Sequence, residues 1–523
     1  MKFSNIFIII FSTVIFGNCS GQSEIAFANK NTENELYRPN FHFTPKSGWM
    51  NDPNGLYFLG GTYHLFFQHY PDGNKWGPMH WGHATSQDLV KWEEQPIALF
   101  PDHLGYIFSG SAVVDKQNTS GFGDGKNVPV VAIFTYHNMD KEKSGATDIE
   151  SQGIAYSLDN GKTWTKYADN PVLKNPGIRD FRDPKVSWDE KRQRWIMVLA
   201  AQDRTHFYSS KNLKDWTFLS DFGKNIGAHG GVWECPDLFP LKLKGTNEEK
   251  WVLIVNINPG GANGGSATQY FVGDFDGKNF KTDEVFTRQI DKEKAVWLDW
   301  GRDNYASVSF DNIPDDKRII IGWMSNWDYA QEVPTEQWRS STTVARELSL
   351  EKSDNGYILK NIPVAQFRNY FGKTVSKNVN LKEKNILMTK KEIDISKAVI
   401  DVDFKNMKEG VYTFALKNSL GEQVSFGIDN KNNFLFVDRA KSGKTKFKNN
   451  FADKVSKAPL SKTYENSAFK IILDKTSIEI FFNNGEKVMT EIFFPNESFS
   501  ELNISTDTKG SVLKMKANQL NIK

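Results

Sequence analysis

From Phe41 to Glu347 the chain is written in short apolar runs, such as Thr62 to Gln68, Val130 to Thr135 and Trp251 to Val255, broken by Gly, Asp, Asn and Pro. Runs of that length with that punctuation predict β-strands joined by tight turns, and no stretch keeps the 3.6-residue period of a long amphipathic helix. A polar turn followed by an aromatic recurs in order: Ser86, Asp88 and Trp92; Ser157, Asp159, Gly161, Thr163 and Trp164; Ser209 to Trp216; Asp274, Asp276, Gly277 and Phe280. One such hairpin is common in any β protein. Four in order, with anchors spaced by about 63 residues, predict a repeat longer than that of common propellers and about five units in all. Radial repetition would leave only short, protected sheet edges and a central channel whose mouth is a natural pocket.

After Asn361 the pattern changes. A Lys- and Asn-rich stretch, Lys373 to Lys391, leads into alternating runs at Ala398 to Phe404, Val411 to Leu416, Gln423 to Ile428 and Phe469 to Leu473. Ile478 to Phe482 and Val488 to Phe494 flank Asn483, Asn484 and Gly485, residues that tolerate the positive φ of a tight hairpin. The expected architecture is all-β: a five-bladed β-propeller over 38–350, a linker over 351–372 and a C-terminal β-sandwich over 373–523.

Composition agrees with two domains, because 523 residues exceed the size at which one core keeps growing, and 15 Trp and 39 Phe supply ample core. Lys and Arg total 65 against 63 Asp and Glu, so a net charge of +2 gives no reason to expect nucleic acid or an acidic membrane as partner. Lys2 precedes an apolar run from Ile6 to Phe16 that ends in small and polar residues, which reads as an export signal over 1–22. The run is too short for the roughly 20 apolar residues that span a bilayer. Cys19, with Gly17 two residues before it, stands where a bacterial lipoprotein carries its lipid; cleavage after Ala26, Phe27 and Ala28 is the alternative and would free a secreted chain. The expectation is an exported lipoprotein at the cell surface or in the periplasm, otherwise a secreted protein, touching membrane only through that anchor. Cys235 is the only other cysteine, so packing rather than an internal disulfide must supply stability.

Three strings could carry chemistry. Trp49 to Gly55 reads WMNDPNG, in which each of Asn, Asp, Pro, Asn and Gly favours a turn, yet the flanking Trp and the carboxylate between two amides also suit sugar hydroxyls. Phe181, Arg182, Asp183 and Pro184 could be an ordinary surface ion pair. Trp233, Glu234, Cys235, Pro236 and Asp237 place a carboxyl in an apolar run, where burial would raise its pKa as a general acid requires. His80 and His83 in HWGH have no acidic neighbour in sequence and read as strand residues rather than metal ligands, and Cys235 reads as a packing group.

In this order and with these separations, the three strings resemble the catalytic blocks of glycoside hydrolase family 32, the invertases, inulinases and levanases. The resemblance covers most of the chain and implies the same propeller and sandwich. It implies Asp52 as nucleophile, Asp183 as transition-state stabiliser and Glu234 as acid/base in a retaining hydrolysis of β-D-fructofuranosyl linkages. It also implies a fructose-holding subsite lined by Asn51, Gln68, Trp76, Phe108, Ser109, Arg182 and Trp323, with no cofactor and no metal. GWMSNWDYA, Gly322 to Ala330, and VPTEQWR, Val333 to Arg339, are more similar to exo-acting levanases and inulinases than to plant invertases. A fructan or fructo-oligosaccharide is therefore the expected partner, with sucrose second. Fructosyl transfer on the same fold and a non-catalytic fructan-binding lipoprotein remain as alternatives, and nothing in the sequence points to an oligomeric state.

Overall fold

Strand follows strand through residues 35–353 and 355–522, the parts of the chain described by the computed structural model. The export segment and Cys19 lie outside the described residues. The first half forms five sheets, each built around an innermost strand: Gly48–Leu59, Tyr106–Val114, Phe181–Asp189, Val232–Lys242 and Tyr305–Ser309. Each innermost strand packs on the next, and the fifth packs back on the first, so the sheets close as the blades of a propeller. Closure is reinforced in two places. Trp338–Arg339 pairs in parallel with the start of the first blade, and Asp311 accepts the Phe58 N–H at 3.0 Å.

The recurring turn joins the third and fourth strands of blades one to four. Ser86 Oγ accepts the Leu89 N–H at 2.9 Å while Asp88 accepts Val90 and Lys91 at 3.0 Å. Ser157 and Asp159 repeat this on Gly161 and Thr163 at 2.8 and 2.9 Å. In the third blade the capping serine is Ser210 rather than Ser209, with Asn212 beside it. In the fourth, Asp276 alone holds Lys278 and Asn279 at 2.7 Å. Side-chain oxygens that satisfy turn N–H groups explain why this signature repeats. The fifth blade lacks it, which is why four copies mark five blades.

The expected linker over 351–372 is a correction. Arg346–Ser353 and Gly356–Pro363 form the outer hairpin of the fifth blade, burying Leu348, Leu350, Tyr357 and Leu359. A short 3₁₀ turn at Ala365–Tyr370 then leads directly into the first sandwich strand, Phe371–Asn380. The charged residues between the apolar positions hid the strand period. A ten-residue helix, Glu284–Glu293, was likewise not anticipated; Asp283 caps it at 2.8 Å, and it buries Phe286 and Ile290 over less than three full turns.

The sandwich packs two six-stranded antiparallel sheets over one apolar core. Asn483, Asn484 and Gly485 take φ of 43°, 58° and 79°, as the hairpin between Ser477–Phe482 and Lys487–Ile492 demands. A Cβ on Gly485 would stand 2.3 Å from the Asn361 carbonyl of the fifth blade. The seam between propeller and sandwich combines apolar contacts, among them Phe481 and Val488, with buried charged groups. Arg346 is fully buried and donates to Asp299 at 2.9 Å, to Thr490 at 2.7 Å and to Glu479. Arg439 reaches across to Asp303 at 2.6 Å, and His42 lies between Asp474 and Glu479, 2.8 Å from each. Buried ions of this kind fix a unique docking, because removing one partner strands the other in a low-dielectric setting.

Candidate active site

All five innermost strands break register near their N-terminal ends. The shifts fall between Met50 and Pro53, Ile107 and Gly110, Arg182 and Lys185, Glu234 and Asp237, and Tyr305 and Val308. A bulge inserts an extra residue and re-aims its neighbours. Here Asp183, Cys235 and Ala306 take positive φ of 64°, 42° and 52°. Pro184 and Pro236 fall inside these shifts, where a bulge leaves no ladder partner for an N–H, and Pro53 is the residue at which the first strand resumes pairing, opposite Phe67. The result is that Asp52, Ser109, Asp183, Glu234 and Tyr305 meet at one mouth of the channel.

A cavity of about 240 Å³ opens there, lined by Asn51, Asp52, Gln68, Trp76, Phe108, Ser109, Arg182, Asp183 and Glu234 together with Trp327 and residues of the second and third blades. All three carboxyls read from the sequence are therefore brought together. Asp52 Oδ2 accepts Ser109 Oγ at 2.7 Å and lies 3.5 Å from the Cys235 thiol, while its buried Oδ1 has no hydrogen-bond partner among the described residues. Burial, then the charge of Glu234, raises the Asp52 carboxyl above the usual range, and the Ser109 donor opposes this. Asp183 accepts the Cys235 N–H at 2.9 Å, and its own N–H is held by Thr135 Oγ at 3.0 Å. Burial pushes its carboxyl well up despite the Arg182 charge. Ionised, both aspartates would be strong acceptors for ligand hydroxyls.

Glu234 departs from the expected apolar wall. Arg182 donates to Oε1 at 2.8 Å, and Tyr305 donates its hydroxyl to Oε2. Arg182 is itself fixed by Asp180 at 2.7 Å and Glu150 at 3.3 Å. Burial and the surrounding carboxylates push the Cys235 thiol well up, so it acts as a weak donor between Asp52 and Asp183 and not as a thiolate.

Trp323 is the other correction. It is fully buried in Ile319–Met324, packed against Tyr305, Trp49 and Trp327, and does not line the cavity. Trp327, in the loop after that strand, does line it, and its ring stacks on Trp49 at 5.8 Å. Pleating explains the difference, since a strand residue is committed to a packing face while a loop residue is not. Trp76 is half-buried with its ring edge-on to Phe108 at 6.0 Å, and the buried Gln68 amide nitrogen has no partner among the described residues. Tyr305, Glu150 and His137 were not singled out from the sequence. None of the three belongs to a recognisable motif, and only Asp180, in RDFRDP, carried a local signal. His80 and His83 do not converge: His83 stacks on Phe66 at 4.2 Å, whereas His80 meets Phe100 edge-on.

Comparison with known proteins adds the following. The sequence model described as Glycosyl hydrolases family 32 N-terminal domain matches residues 42–362, and that described as Glycosyl hydrolases family 32 C terminal matches 366–522. A levanase of Bacillus subtilis (strain 168) is 46% identical over 498 residues, 93% of this chain and 71% of that protein. An extracellular exo-inulinase of Aspergillus niger is 40% identical over 484 residues, 88% of this chain and 90% of that protein. Among solved structures, the exo-inulinase of Aspergillus awamori superposes with a TM-score of 0.84 at 35% identity, covering 93% of this chain and 99% of that one. A fructofuranosidase of Schwanniomyces occidentalis complexed with fructosylnystose gives 0.83 at 34%, covering 93% and 98%.

Proposed function

This chain belongs to glycosyl hydrolase family 32, and on that premise we propose that it hydrolyses the β-D-fructofuranosyl linkages of fructans, levan or inulin, from the chain end, and cleaves sucrose as a smaller substrate. The observation that carries the reading is the meeting of Asp52, Asp183 and Glu234 in one cavity of about 240 Å³ at the bulged ends of three strands.

In the proposed mechanism Glu234 gives its proton to the leaving oxygen as the C2–O bond breaks, and Asp52 forms a bond to C2. A covalent fructosyl-enzyme results, with net retention once water has attacked it. Glu234 takes the proton of that water, and the ester to Asp52 breaks to release fructose. The oxocarbenium-like charge on the ring is met by buried carboxylates, and Asp183 accepts hydrogen bonds from ring hydroxyls as that charge develops. Ser109 supports Asp52 as the anion, and Arg182 and Tyr305 hold the Glu234 carboxyl in place. The exo preference rests on the likeness to exo-inulinases.

The test is a product profile on levan, inulin and sucrose. Fructose alone from the first time points supports the reading, a ladder of oligosaccharides refutes exo action, and longer products indicate transfer. No product from any substrate, or unchanged cleavage by Asp52→Ala, refutes the mechanism. Related enzymes are described as extracellular, in keeping with export, and lipidation at Cys19 is the finer proposal. Cys19→Ala should then release the protein from the membrane fraction; an unaltered distribution refutes lipidation.

A further inference from the structure

The innermost strands have two ends, and the chemistry described above uses only one. Val114 ends its strand five residues after Ser109, about 17 Å further along. Trp188 stands near the end of the third blade's innermost strand, and Asp311 lies two residues beyond that of the fifth. At this opposite mouth a second cavity opens, also about 240 Å³, whose lining includes Trp188, Trp195, Asp311, Asn312, Lys116 and Gln117.

Its walls are built. Trp188 and Trp195 meet edge to face, with ring centres 4.9 Å apart. Their N–H groups are held by Glu190 at 2.6 Å and Thr119 at 2.8 Å, so both rings are oriented. Trp188 is only half-buried. One oxygen of Asp311 accepts the Val114 N–H at 3.0 Å, and among the described residues the other has no hydrogen-bond donor. Burial raises this carboxyl, opposed by the Val114 N–H and by the charges of Lys185, Arg318 and Lys116. Lys116 and Gln117 are exposed at the rim.

We propose that this far mouth is a second, non-catalytic sugar site that holds a residue of the fructan chain while another chain end occupies the catalytic cavity. A fixed indole provides an apolar face for a sugar ring, and the half-buried Asp311 carboxylate, with one oxygen open, takes its hydroxyls. Charges of both signs around the rim do not select an anion. Among the described residues no group of three His, Cys, Asp or Glu is placed to hold a metal ion. The identity of the sugar rests on the proposed function; the presence of a second site does not.

The experiment compares calorimetric titration of Glu234→Gln with a four-unit fructo-oligosaccharide, alone and combined with Trp188→Ala. Two sites falling to one supports the proposal. In the active protein, Trp188→Ala should leave sucrose kinetics unchanged and raise KM on polymer about three- to tenfold, the loss expected for one aromatic contact. Because Trp188 packs on Trp195, Lys116→Ala with Gln117→Ala provides a second variant at exposed positions, with a polymer KM expected to rise in the same sense. One binding site in Glu234→Gln, or a wild-type polymer KM in both variants, overturns the proposal. Fructose release by the wild-type protein keeps that failure distinct from failure of the functional reading.

Discussion

Raising the pH should loosen the attachment of the N-terminal segment to the sandwich, because one buried histidine holds it. His42 lies between Asp474 and Glu479, 2.8 Å from each, with all three side chains almost wholly inaccessible. Burial alone pulls the imidazole down, but the hydrogen bonds and charges of both carboxylates override it and carry His42 up to about 9. A histidine held more tightly when folded than when unfolded contributes stability that is complete below its ordinary pKa near 6.5 and is lost as pH rises through the folded value. The gap of about 2.5 pH units, at about 1.4 kcal/mol each, is worth on the order of 3 kcal/mol. Urea unfolding of the wild type and His42→Gln, followed by tryptophan fluorescence at pH 6.0 and 9.5, measures this. At pH 6.0 the variant should be less stable by about 3–5 kcal/mol, since buried Asp474 loses its cation and Glu479 is left with Arg346 alone. At pH 9.5 the difference between the two proteins should shrink by about 3 kcal/mol. A difference independent of pH would refute the assignment of the proton to His42.

Three further outcomes are expected. Asp52→Asn should lower kcat by at least about 10³-fold yet raise the melting temperature at pH 7. Its carboxyl is raised in the folded state, so ionisation costs stability as pH rises, and the amide removes that cost. Trp323→Ala should destabilise the fold by about 3–5 kcal/mol, whereas Trp327→Ala should raise KM with little loss of stability; the reverse pattern would contradict their placement. Deleting residues 371–523 should yield insoluble protein, because Arg346, Asp299 and Asp303 would lose buried partners, and a soluble, fully active fragment would sink that argument.

Much of the fold was legible because its signals are local. Polar side chains that close third-to-fourth strand turns write a repeat into the sequence, and Asn483, Asn484 and Gly485 announce a hairpin through the φ they tolerate. The hairpin at 346–363 was missed because Lys and Glu alternate with its buried leucines in a stretch that also reads as polar linker. The three carboxyls were found through their motifs. Tyr305, Glu150 and His137 were not, since each meets its partner in the site across strands, Tyr305 reaching Glu234 over 71 residues and Glu150 reaching Arg182 over 32.

The bulges connect these two levels. In a regular strand, neighbouring side chains face opposite sides, so an innermost strand cannot turn two consecutive residues toward the channel mouth. With an extra residue inserted, Asn51 and Asp52, Phe108 and Ser109, and Arg182 and Asp183 all line the same cavity as adjacent pairs. Proline after Asp183 and Cys235 stands where the ladder is broken, and Pro53 after Asp52 stands where pairing resumes opposite Phe67. The turn-like look of NDPNG and the carboxylate chemistry are therefore one feature and not rival readings. The backbone leaves regular pairing at this point, and that departure exposes the acid.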